Sequence, residues 1–124
     1  MHWVFIAIGV GFGATALFHI ASILDASLAP GAPPWRHALF ALVNSLVGVG
    51  LVRRPCGFTR AFALLTAQQV VSHGRDLYEA WTWQARIDVP SVIVLVAMPL
   101  VLVLLVRDRR ARPFAPETAK PRSS

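Results

Sequence analysis

Three histidines, His19, His37 and His73, fall inside long apolar stretches of this 124-residue chain. Polar groups inside hydrocarbon are costly, by about 2.5 to 3.5 kcal/mol for a central charge on insertion scales, so each one calls for a physical account. Neutral imidazole nitrogens are good ligands for haem iron, copper or zinc, and a carboxylate nearby can either join the metal or orient a histidine. On this basis His19, His37 and His73 form a candidate cofactor set, and Asp76 completes a candidate metal set. Haem b or a transition metal is the cofactor such donors would hold. For haem, two of the histidines would face each other as axial ligands, as in four-helix membrane cytochromes b, an analogy of architecture alone. Two other readings compete. Each histidine could instead hydrogen-bond across a helical bundle to Asn44, Thr15, Ser22 or Gln69, a common packing device in membranes, or the cluster could receive a quinone or another small polar ligand.

The polar residues fall in stripes. Thr66, Gln69, His73 and Asp76 recur at steps of three or four, which places them on one face of a helix. His37, Ala41, Asn44 and Gly48 form a similar face that mixes polar and small side chains, and Phe12, Thr15, His19 and Ser22 form a third. Asn44, Thr66 and Gln69 are therefore read as a supporting polar stripe. Gly9 and Gly13 make a small-xxx-small pair that admits the close approach of another helix.

Elements that present such faces must be membrane helices. Apolar residues make up 56% of the chain and its mean hydropathy is +0.58, which exceeds an ordinary soluble domain. A span of the roughly 30 Å hydrocarbon core needs about 20 mostly apolar residues. Four stretches qualify, at about 3–24, 35–52, 58–83 and 90–106. The first has no basic residues before it and is longer than a typical signal-peptide core, so it reads as a helix that stays. Pro30, Gly31, Pro33 and Pro34 separate the first two helices, with Pro34 suited to a first helical turn. Arg53, Arg54, Pro55, Cys56 and Gly57 form a basic turn, and Asp88 is placed to cap a last helix that Pro99 interrupts. Apart from Ser91, that last helix reads as an apolar wall. The expected fold is an all-α integral membrane four-helix bundle over 1–106, followed by a disordered cytoplasmic tail over 107–124.

Charge sets the expected orientation. Arg53, Arg54, Arg60 and the six basic residues of the tail share one side, against Arg36, Arg75 and Arg86 on the other. By the positive-inside rule both termini are cytoplasmic. Trp35, Tyr78, Trp81 and Trp83 then gather at the outer interface, where amphipathic rings prefer to sit. With this topology His19 and His73 lie roughly 22 to 24 Å along their helices from the cytoplasmic side, at a depth His37 also reaches, so that all three converge in the outer half of the bundle. Arg75 and Glu79 stand at i,i+4, the spacing of a helical ion pair. Eleven arginines against a single lysine fit a GC-rich bacterial genome, which makes the bacterial inner membrane the expected location.

Several functions are disfavoured. Cys56 is the lone cysteine, so there is no internal disulfide, CxxC pair or CxxCH haem attachment. Gly9, Gly11 and Gly13 lie within an apolar span with no preceding strand, which rules out a dinucleotide loop. The basic tail is explained by topology, leaving no case for nucleic acid. Two functional classes remain. One is a membrane protein that binds haem, a metal ion or a small ligand through its polar cluster. The other is a structural or accessory subunit whose polar stripes only fix helix packing; its partners would be the lipid bilayer and another membrane protein or a second copy.

Overall fold

The computed structural model describes residues 2–29 and 33–111 and is all-helical. It contains four α-helices, α1 (His2–Leu24), α2 (Pro34–Arg53), α3 (Phe58–Gln84) and α4 (Val89–Ala111), with a short 3-10 turn, Ala26–Leu28, after α1. The chain divides into two compact units, Met1–Phe58 and Thr59–Ser124.

In the first unit α1 and α2 form a hairpin. Asp25 starts the 3-10 turn by accepting a bond from the Ser27 amide at 2.9 Å. Pro34 occupies the first turn of α2, where its missing N–H is not needed. The two helices meet backbone to backbone at the glycines: a Cβ on Gly48 would lie 2.9 Å from the Gly9 carbonyl oxygen, and one on Gly9 would lie 3.0 Å from that of Gly48. The helix that Gly9 admits is therefore α2 of the same chain. His37, Ala41 and Gly48, three of the four residues of the expected face of α2, are buried. Beyond it the chain turns through Arg54, a left-handed residue (φ 49°) whose amide donates to the Gly50 carbonyl at 2.8 Å. Its side chain reaches back over the start of α1, lying 4.3 Å from the centre of the Phe5 ring and 3.3 Å from His2 Nδ1. Phe5 is completely buried as a result.

In the second unit α3 buries Phe62, Thr66 and Ala80, positions that continue the stripe of Gln69, His73 and Asp76 by steps of three or four. The stripe therefore runs along the partly buried face of this helix, with Thr66 buried, Gln69 and His73 half-buried and Asp76 exposed. Arg75 Nε donates to Glu79 at 2.7 Å, forming the ion pair its spacing implies. α4 buries Ser91, Met98, Val101, Leu105 and Asp108, a seam of the same period that its uniform hydrophobicity concealed. Pro99 sits inside α4 without ending it.

The connection between α3 and α4 determines what faces what. Ala85 is left-handed (φ 48°), and the Arg86 amide donates to the Ala80 carbonyl at 3.2 Å, a helix C-terminal motif that reverses the chain. Residues 86–88 belong to no helix and link the two elements. Ser91 Oγ, near the start of α4, lies 3.0 Å from His73 Nδ1. Residues 74–84 carry α3 roughly 16 Å further at 1.5 Å per residue, so Tyr78, Trp81 and Trp83 project past the start of α4.

Two expectations require adjustment. α1, α2 and α4 are long and apolar enough to cross a membrane, whereas α3 falls short. The reason is compositional: Gln68, Gln69, Ser72, His73, Arg75 and Asp76 crowd its central turns. The last helix was expected to end near Val106, but α4 continues to Ala111 and buries Asp108. Charged residues after Val106 indicate where the chain leaves hydrocarbon, not where helical structure ends, and Arg109 and Arg110 favour a helix C-terminus. The rest of the expected tail, like Pro30 and Gly31 in the first loop, lies outside the described residues.

Candidate functional site

The first unit brings two of the candidate histidines together. His19 is five residues from the end of α1 and His37 is three residues after Pro34, so the hairpin sets them at one level. Their Nδ1 atoms are 3.0 Å apart, with ring centres at 5.3 Å and planes inclined by 40°. Phe40 stacks against His19 at 5.3 Å, and Phe18 meets its edge at 5.7 Å. A neutral pair in this geometry holds one hydrogen between the two nitrogens, one ring donating and the other accepting. His37 is only 5% exposed, and its Nε2 is buried with no hydrogen-bond partner among the described residues. Such a group costs about 1 to 3 kcal/mol relative to a satisfied one.

His73 belongs to a different arrangement, in the second unit. The Ser91 hydroxyl donates to Asp88 Oδ2, and because a hydroxyl has one hydrogen, its oxygen must accept from His73 Nδ1 at 3.0 Å. That fixes the hydrogen of His73 on Nδ1 and leaves Nε2 as the free nitrogen. Asp76 Oδ2 stands 4.0 Å from the same Nδ1, at the edge of electrostatic contact. Ser91 is 1% exposed, so this histidine–serine–aspartate chain is built around a buried centre. Asp88 acts as the expected helix-start residue through the Ser91 hydroxyl, and its carbonyl receives the Val92 amide at 3.1 Å.

The expected cross-helix partners of the histidines are elsewhere. Thr15, Ser22 and Asn44 each bond to the carbonyl four residues earlier on their own helix, at 3.1, 2.9 and 2.7 Å. Thr66 does the same to Phe62 at 2.8 Å, and Gln69 donates to Gln68 at 2.7 Å. Short hydroxyl and amide side chains on a helix find their own backbone closer than any neighbour. His19 and His37 pair with each other, and His73 pairs with Ser91, the polar residue near the start of α4. The doubling back at Ala85 is what brings Ser91 to His73, and neither periodicity nor composition encodes that. Among the described residues, no three or more His, Cys, Asp or Glu side chains gather where they could hold one metal ion. Within the first unit His19 and His37 form a pair, and within the second His73 stands beside Asp76.

Comparison with family models, curated proteins and solved structures finds no match for this chain.

Proposed function

We propose that this chain is a four-span protein of the bacterial inner membrane, with both termini cytoplasmic, that binds a transition metal ion of the copper or zinc class through His19 and His37. The observation that carries this reading is the 3.0 Å approach of the two Nδ1 atoms from adjacent helices. Two nitrogens bound side by side to one ion at about 2.0 to 2.1 Å stand about 2.9 to 3.4 Å apart, so the pair is already near that spacing. Axial ligation of haem is disfavoured for this pair, because trans nitrogens require roughly 4 Å and a porphyrin plane between them. The unsatisfied Nε2 of buried His37 supports a role beyond packing, since an apolar residue would fill the same space without stranding a polar atom. Water or a second copy of the chain would supply the remaining ligands.

Elemental analysis of the protein purified in mild detergent, before and after exposure to zinc or copper(II), tests this. The expected result is bound metal that is lost in His19→Ala and His37→Ala and retained in His73→Ala. A wild-type protein that takes up neither ion would overturn the reading.

A second reading has its own support. Thr15, Ser22, Asn44 and Thr66 are satisfied within their own helices, and His73, Ser91 and Asp88 satisfy one another. This is the pattern of an accessory membrane subunit whose polar groups only set helix register. Under it, the histidine variants lower stability without changing metal content.

A further inference from the structure

The α1–α2 hairpin carries an open groove of about 390 Å³. Val10, Gly13, Ser45, Val49, Val52 and Arg53 line it, and its surface is almost wholly apolar except at Arg53. The groove exists because of the glycines. Gly9 and Gly48 bring the helix backbones together as its floor, while a Cβ on Gly13 would meet no atom within 4 Å. Its length follows from the helix: Ser45 to Arg53 is roughly 12 Å at 1.5 Å per residue. One leaflet of the hydrocarbon core is roughly 15 Å deep. The groove therefore runs from the end of α2, where Arg53 sits, to near mid-membrane.

Arg53 is exposed and has no hydrogen bond or ion pair with another described residue. Its neighbour Arg54, by contrast, is committed to the Leu51 carbonyl and the start of α1. A one-leaflet apolar trough ending in an uncommitted guanidinium matches a molecule with an acyl chain and an anionic head. The geometry points to a binding site for one anionic phospholipid, its acyl chain lying between α1 and α2 and its phosphate on Arg53. Arginine suits this end because its planar fork binds phosphate oxygens in pairs. The site requires that α1 and α2 lie in the membrane, and it is independent of any metal at the histidine pair.

Native mass spectrometry of the detergent-purified protein, with phosphatidylglycerol or phosphatidylcholine added at equal concentration, reads the site directly. Wild type is expected to retain one phosphatidylglycerol in preference to phosphatidylcholine. Arg53→Gln should weaken phosphatidylglycerol retention roughly fivefold, the value of one interfacial basic residue, and Arg53→Lys, which keeps the charge but not the paired hydrogen bonds, should fall between wild type and Arg53→Gln. Gly13→Leu should fill the trough and remove both lipids while the helices remain folded by circular dichroism, since the new side chain enters open space. Ser45→Phe, which blocks the inner end from an exposed position, gives the same reading should Gly13→Leu fail to fold. Equal retention of the two lipids, or full retention in the filled variants, would overturn the proposal.

Discussion

Ser91 is the residue on which the second unit's polar chemistry turns. It donates to Asp88 and accepts from His73, and it is almost fully buried. Ser91→Ala leaves both partners short of a bond. Cross-helix polar contacts in membranes average about 0.6 kcal/mol and reach about 1.7, so a loss of about 1 kcal/mol is expected in reversible unfolding in detergent. Metal content should not change, because His73 is outside the proposed site. An unaltered unfolding free energy would mean that the chain of bonds contributes nothing to holding α3 against α4. The sequence reveals part of this site and conceals the rest. His73 stands on the inward face because a period of three or four puts it there, and Phe62, Thr66 and Ala80 confirm that face. Its partner is hidden: a hairpin drawn from helix ends would set Ser91 beside the last turn of α3, and the left-handed Ala85 displaces it by three turns.

At the scale of elements, the α1–α2 contact makes sharp and opposite predictions for neighbouring glycines. Gly48→Ala puts a Cβ 2.9 Å from a backbone oxygen that cannot move aside without moving α1. Overpacking of this kind costs about 1 to 3 kcal/mol. It should also part His19 from His37, so reduced metal uptake should accompany the lower stability. Gly11→Ala, whose Cβ meets nothing within 4 Å, should be neutral or gain up to about 1 kcal/mol of helix propensity. Equal effects from the two substitutions would contradict the backbone contact. The small-xxx-small pair in α1 was legible as a docking face; that Gly48 answers it from α2 needed the fold. The turn between these helices has a pH dependence of its own. The Ser27 hydroxyl, and then its amide, hold the Asp25 carboxyl below the usual carboxylate range. A depressed folded-state value means the turn is supported at neutral pH and loses that support as pH falls through it. The protection of the Ser27 amide, its exchange rate relative to that of an unstructured peptide at the same pH, should therefore fall in acid in wild type and be low at every pH in Asp25→Ala.

At the scale of the whole molecule, the number of membrane crossings is set by α3. α1, α2 and α4 have the composition of spans, while α3 carries its polar stripe through the central turns. Its polar residues occupy two adjoining faces, one carrying Thr66, Gln69 and His73 and the other Gln68, Ser72, Arg75 and Glu79. The first of these also carries buried Phe62 and Ala80, while Leu64, Val70 and Val71 are exposed. The proposed fourth crossing requires these polar groups to face protein or water and not lipid, and the 2.7 Å Arg75–Glu79 pair neutralises two of the charges. Hydropathy averaged around the helix misses this, because a mean erases the distinction between faces. Four crossings place the α2–α3 and α3–α4 turns on opposite sides of the membrane; three crossings, with α3 held at one surface, place them on the same side. Cys56, exposed and the lone cysteine, marks the first turn. In intact cells a membrane-impermeant maleimide should leave Cys56 unlabelled and should label it once the membrane is opened. With Cys56→Ser in place, Arg86→Cys should react in intact cells, since Arg86 is exposed in the second turn. In the proposed orientation, removing Arg86 also takes a basic residue from the outer side, which does not oppose that orientation. Protection of both positions in intact cells would mean that α3 stays on the cytoplasmic face, leaving three spans and an outward C-terminus.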